Sequence, residues 1–147
     1  MRTILILMIL MSLITACSRQ DESSDSASDN NNISKRWYSA SQVSKGNQLF
    51  QNNCASCHGD QAQGLVADWK KTLPDGSYPP PPLNGTAHAW HHPMPQLLRT
   101  IEQGGVPLGG VMPGFADKLS EKERLAVIAY FQSFWPDEIY QHWKERD

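Results

Sequence analysis

The chain has 147 residues, with 13 Lys plus Arg against 15 Asp plus Glu, which is room for one ordinary domain and not for two cores. A formal net charge of −2 leaves no basic footprint, so nucleic acid is excluded as a partner.

In chain order, residues 1–16 come first. Arg2 precedes "TILILMILMSLITA", an apolar run too short to span a bilayer as a mature helix but with the charge-then-apolar layout of a secretory signal. A polar tract follows at once, which argues against a buried helix of the domain. "ITAC" (Ile14 to Cys17) resembles a bacterial lipobox. That resemblance implies cleavage before Cys17 and acylation of its sulfur and new amino terminus, and several acyl chains anchor stably where one does not. The competing expectation is plain cleavage with a free thiol. Residues 17–34 are dominated by Ser, Asp and Asn and cannot bury enough surface to offset their chain entropy, so a disordered tether is expected. As a flexible coil it reaches roughly 20–25 Å.

The domain is then 35–147. Two arginines and four acids precede Lys35 and account for the whole net charge, so the domain itself is balanced. "SASQVSKGNQLFQNNCASCHG" opens with cap-type serines, and Val43, Gly46, Leu49 and Phe50 share one helical face. One helix is expected to run into "CASCHG", with Gly46 allowing another helix to approach closely.

C-x-x-C-H is the attachment pattern of c-type haem. Residues three apart on a helical turn face the same side, so Cys54 and Cys57 suit two thioethers to one porphyrin, with His58 beneath the iron. Two rivals stand beside haem. A thioredoxin-like dithiol needs a βαβ context that the sequence lacks. Zinc held by Cys54, Cys57, His88 and His92 has about thirty residues between its halves, against roughly 12–15 in finger motifs. Export also suits haem c.

Residues 61–78 show no periodicity, with Asp75-Gly76 as the expected bend. Pro79 to Pro82 favour an extended path. "TAHAWHHPMPQ" then gathers His88, His91, His92 and Met94, a composition that suggests a metal. Pro95 suits the first helical position of "PQLLRTIEQGG", with Leu97, Leu98 and Ile101 apolar and Gly104 as the stop. "SEKE" at Ser120 to Glu123 forms a capping box. The helix that follows places Leu125, Ile128 and Ala129 on one face, broadened by Val127, Tyr130, Phe131 and Phe134. Pro136 ends it, and "DEIYQHWKERD" reads most simply as surface.

These features resemble a class I, single-haem cytochrome c over residues 42–136. The resemblance rests on "KGNQLF", "CASCHG", "PPLNG" and "GGVMPGFADKLSEKERLAVIAYF", in that order. It implies an all-α cytochrome c fold whose first and last helices cross beside the haem, with Gly46 and Phe50 facing Tyr130. It implies Met112, in its Gly-rich loop before Pro113, as the distal iron ligand. His/Met ligation raises the potential relative to bis-histidine. It further implies that Pro81 supplies the carbonyl that orients His58 and that Leu83 packs on the porphyrin. Residues 61–78 and the tail depart from a minimal member, and are expected either to shield haem or meet a partner, or to be plain surface loops.

The expected function is a membrane-tethered one-electron carrier on the periplasmic side of a bacterial membrane, inner or outer. It would hold one covalent haem c and exchange electrons with redox proteins. It is not expected to be an enzyme or to bind a small-molecule substrate. Two competitors are carried forward: a haem-bearing subunit of a larger respiratory oxidase or dehydrogenase, and a haem-based ligand sensor or peroxidase-like enzyme. With His58 and Met112 as the iron ligands, the histidines at 88, 91 and 92 are expected to cap or pack the loop beside the haem. A second metal such as copper and a docking or pH-sensitive surface remain the lesser expectations for them.

Overall fold

A computed structural model describes residues 35–108 and 110–146. The expected signal, Cys17 and the tether lie outside the described residues. Within them the architecture is helical, without strands: α1 Ala40–Asn53, α2 Ala55–His58, α3 Met94–Gln103, α4 Glu121–Ser133 and α5 Asp137–Lys144, with single 3-10 turns at Ala89–His91 and Val106–Leu108. No helix among the described residues is long and apolar enough to cross a membrane.

Ser39 starts α1 from an extended backbone, and its side chain and that of Gln42 bond each other's backbone amides reciprocally, satisfying two donors that a helix start leaves free. The helix does not run unbroken into the haem motif. Cys54 leaves helical geometry at φ −124° while its amide still bonds Phe50 O. A new turn, α2, then begins, so the motif sits on a separate short helix.

Helices α1 and α4 cross at Gly46. A Cβ placed there would collide with the Ala126 carbonyl oxygen, so only glycine lets the two backbones meet. One turn on, Phe50 is fully buried against the Tyr130 ring, centroids 5.0 Å apart. This is the expected crossing with its expected aromatic partner.

Helix α4 is buried even more widely than its expected broadened face. Residues 126–132 are buried without a break, while Leu125 is only half-buried. A helix buried around most of its circumference needs partners on several sides, and three are present. One is α1. The second is α3, tied by Arg124 Nη2 to Glu102 Oε1 at 3.1 Å. The third combines the segment before α1 with the tail.

That tail is the largest correction. It is the helix α5, and it buries Tyr140 and Trp143 in the core. Residues 36–38 clamp onto it. Arg36 Nη2 donates to Trp135 O at 2.9 Å and pairs with Asp137 at 2.6 Å, with its guanidinium over the Tyr140 ring. The Trp37 amide donates to Tyr140 Oη at 2.9 Å, and its indole N–H to Gln132 Oε1 at 2.6 Å.

One smaller difference concerns a helix end. Helix α3 begins at Met94, with Pro93 as its extended cap and Pro95 second; a proline is harmless there because first-turn amides have no helical acceptor. At the start of α4, the Glu123 carboxylate accepts from the Ser120 amide at 3.1 Å, as the capping box predicts. The bend at Asp75-Gly76 is also present, with the Ser77 amide donating to Asp75 Oδ1 at 3.0 Å and Gly76 at φ +83°.

Candidate haem site

The single turn α2 carries Cys57 and His58, with Cys54 as the residue that caps its start. Neither cysteine is in a disulfide. Cys54 is half-buried, and burial first, with Cys57 second, pushes its thiol up to about 11. Cys57 is exposed. His58 is 8% exposed. Burial pushes its imidazole below the usual histidine range, and the bond to Pro81 partly opposes this.

The orientation of His58 is decided by one contact, Nδ1 to Pro81 O at 2.9 Å. A carbonyl only accepts, so Nδ1 carries the proton and Nε2 keeps its lone pair. The chain after the motif turns back to make this possible. Gly59 leaves α2 at φ +77°, and the Ala62 amide bonds Gly59 O at 2.9 Å. Ala62 O then accepts from Leu83 N at 2.7 Å and Asn84 N at 3.2 Å. Tyr130 Oη and Gln51 Nε2 both donate to Asp60 O, at 2.7 and 2.9 Å, which ties the exit of the motif to the helix crossing.

Leu83 and Met112 are half-buried against the core. Met112 stands in a tight loop, where Met112 O accepts from Gly105 N at 2.9 Å and Gly105 O accepts from Gly110 N at 2.9 Å. Gly104, at φ +76°, lies so close to Met112 O that a Cβ there would collide with it. The methionine is therefore presented by a backbone that glycines make possible.

The donor set fits a c-type haem. Two unlinked thiols stand three apart on one turn, beside an imidazole whose Nε2 is left unprotonated and whose other nitrogen is held. The zinc alternative finds no counterpart, since no group of three or more His, Cys, Asp or Glu among the described residues gathers as a metal site. The histidines at 88, 91 and 92 have other company. His88 lies against Trp69 at 5.2 Å and edge-on to His92 at 5.5 Å. His91 stacks on Trp90 at 3.7 Å, with Arg146 Nη1 at 3.3 Å from its Nδ1. They pack the loop; His88 precedes the 3-10 turn without capping it by its side chain.

Residues 41–131 match the family model of cytochrome c oxidase, cbb3-type, subunit III. The chain belongs to that family. A cbb3-type oxidase subunit CcoP of Rhodobacter capsulatus is 39% identical over 95 residues, 60% of this chain and 28% of that protein. A CcoP subunit of Azospirillum sp. is 32% identical over 91 residues, 62% of this chain and 28% of its own length. The FixP subunit of Azorhizobium caulinodans is 34% identical over 86 residues, 58% of this chain and 25% of FixP. The chain thus spans little more than a quarter of these relatives. No solved structure matches. As a member of this cytochrome family the protein carries covalent haem c and acts in electron transfer, on an all-α cytochrome c fold.

Sequence reasoning missed Arg36, Trp37 and Trp135, whose partners are remote in the chain. The buried tail residues did leave a signal: Ile139, Tyr140 and Trp143 are spaced for one helical face after Pro136.

Proposed function

We propose that this chain is a haem-bearing electron-transfer component of a cbb3-type respiratory oxidase assembly, and not a carrier that works alone. The match across residues 41–131 supports this reading, because it takes in the haem motif, the proline segment and the Met112 loop. The relatives it resembles are named as subunits of such oxidases. In this proposal Cys54 and Cys57 would hold a single haem through thioethers, and His58 and Met112 would ligate its iron. Leu83 packs on the porphyrin, and Pro81 holds the His58 ring. The haem supplies a one-electron iron couple. With His58 and Met112 both committed to the iron, no open position would be left for a substrate, so the chain's own part would be to hold, insulate and present that couple to redox partners.

Co-purification tests the assembly. After mild detergent extraction, oxidase subunits are expected to elute with this chain's haem absorbance. A monodisperse carrier that reduces and reoxidises freely without them overturns the proposal. A sensor or peroxidase-like role predicts rapid, stoichiometric carbon monoxide binding by the ferrous protein; the His/Met proposal predicts little.

The lipobox-like Ile14 to Cys17 favours a second reading, a lipid-tethered donor that serves the oxidase from the periplasmic side without belonging to it. Cys17→Ser is then expected to move the protein from the membrane fraction to the soluble one, and an unchanged distribution rejects the anchor.

A further inference from the structure

We infer that Trp135 is a positioning residue for the haem iron: its indole N–H holds the segment whose carbonyl orients His58. Pro79, Pro80, Pro81 and Pro82 have no backbone N–H, so none of them can be fixed through a donor of its own. Leu83 carries the first amide after the Pro81 carbonyl, and both of its backbone groups are taken by remote segments. Leu83 N donates to Ala62 O at 2.7 Å. Leu83 O accepts the Trp135 indole N–H, also at 2.7 Å.

Trp135 is itself held rigidly. It is 2% exposed and contacts the rings of Phe131 and Trp143, and its carbonyl accepts from Arg36. Gly85, at φ +94°, lets the chain turn directly over the indole; a Cβ there would stand 3.2 Å from Trp135 Cδ1. The path from Trp135 to His58 therefore runs through Leu83 O and Pro81 O, with no slack donor between. A firm acceptor at Nδ1 raises ligand basicity, and a more basic ligand favours ferric iron. Loosening that acceptor should favour ferrous iron.

The molecule contains its own control. Trp143, 3% exposed, makes the same kind of bond, from Nε1 to His92 O at 2.9 Å, but on the segment leading into α3. Trp135→Phe and Trp143→Phe each remove one buried indole bond while keeping an aromatic ring in the contact between positions 135 and 143, and should lower thermal stability alike. Only Trp135→Phe is expected to raise the midpoint potential, read as a severalfold rise in the ferrous-to-ferric ratio at fixed applied potential. It should also speed exchange of the His58 Nδ1 proton. Equal potentials in the two variants, or equal shifts, overturn the inference.

If Trp135→Phe does not mature, the wild-type holoprotein still decides. The Trp135 indole proton and the His58 Nδ1 proton should exchange with matched protection and matched denaturant dependence, and independent opening overturns the coupling. The inference rests on His58 as an iron ligand. A haem-loaded His58→Ala with an unchanged spectrum would sink that assignment alone, whereas an unmoved potential in Trp135→Phe beside a normal wild-type spectrum sinks only the role of Trp135.

Discussion

His58 and the histidines of residues 86–96 are the same side chain in opposite circumstances. His58 is buried, sits on a single turn beside two thiols, and has one ring nitrogen committed to a carbonyl at 2.9 Å. His88 is exposed and His92 half-buried; they touch Trp69 and each other through ring contacts, and His91 is stacked on Trp90. A ligand imidazole needs a fixed tautomer and a fixed plane. The first region supplies both, and the second supplies packing. His58, with its second nitrogen committed, therefore meets the needs of a ligand better than the cluster held by ring contacts.

The sharpest way to break this contrast is His58→Ala. It should abolish the six-coordinate low-spin haem spectrum, whereas the combined variant at 88, 91 and 92 should leave that spectrum intact. The reverse pattern would move the centre to the other region. Next in size is Met112→Ala, expected to lose the ferric sulfur–iron charge-transfer band that Met94→Ala retains. Loss of the band in Met94→Ala alone would place the distal ligand beside the histidine cluster.

His91→Ala comes third. It removes one ring stack and an exposed Arg146 contact, so thermal unfolding should show a loss of about 0.5–1 kcal/mol at most; a loss of several would mean the loop is core.

The smallest effect is a titration. Partial desolvation of its ring against Trp69, then His92, His91 and Lys70, hold the exposed His88 below the usual histidine range. Its folded-state pKa is thus lower than its unfolded value of 6.5. That contribution to stability is present above about pH 6.5 and lost as pH falls through the folded value. A stability profile should slope down on that side in the wild type and flatten in His88→Ala; identical profiles would remove the cluster's electrostatic coupling.

Much of the fold was legible because its signals are local. The cap-type serines before α1 and Ser120 with Glu123 mark helix starts locally, and Gly46 announces a close crossing by lacking a side chain. The break at Cys54 was not legible, since nothing in "QNNCASCHG" distinguishes one long helix from two. Helix α5 reads as a surface tail because its charged ends resemble a solvated segment, although Tyr140 and Trp143 carry the burial. The clamp of Arg36 on Trp135 and Asp137 joins residues about a hundred apart, and no local pattern encodes such a pairing.

The attachment chemistry is local too. Two thiols three apart with a histidine next to the second define what the turn can hold wherever that turn is placed, because the relevant distances lie within one helical turn. Four consecutive prolines are a different matter. Their carbonyls are chemically equivalent, and without N–H groups they have no local means of being told apart. That Pro81 meets His58 was decided by the tertiary structure, through Leu83 pinned on one side by Ala62 and on the other by Trp135.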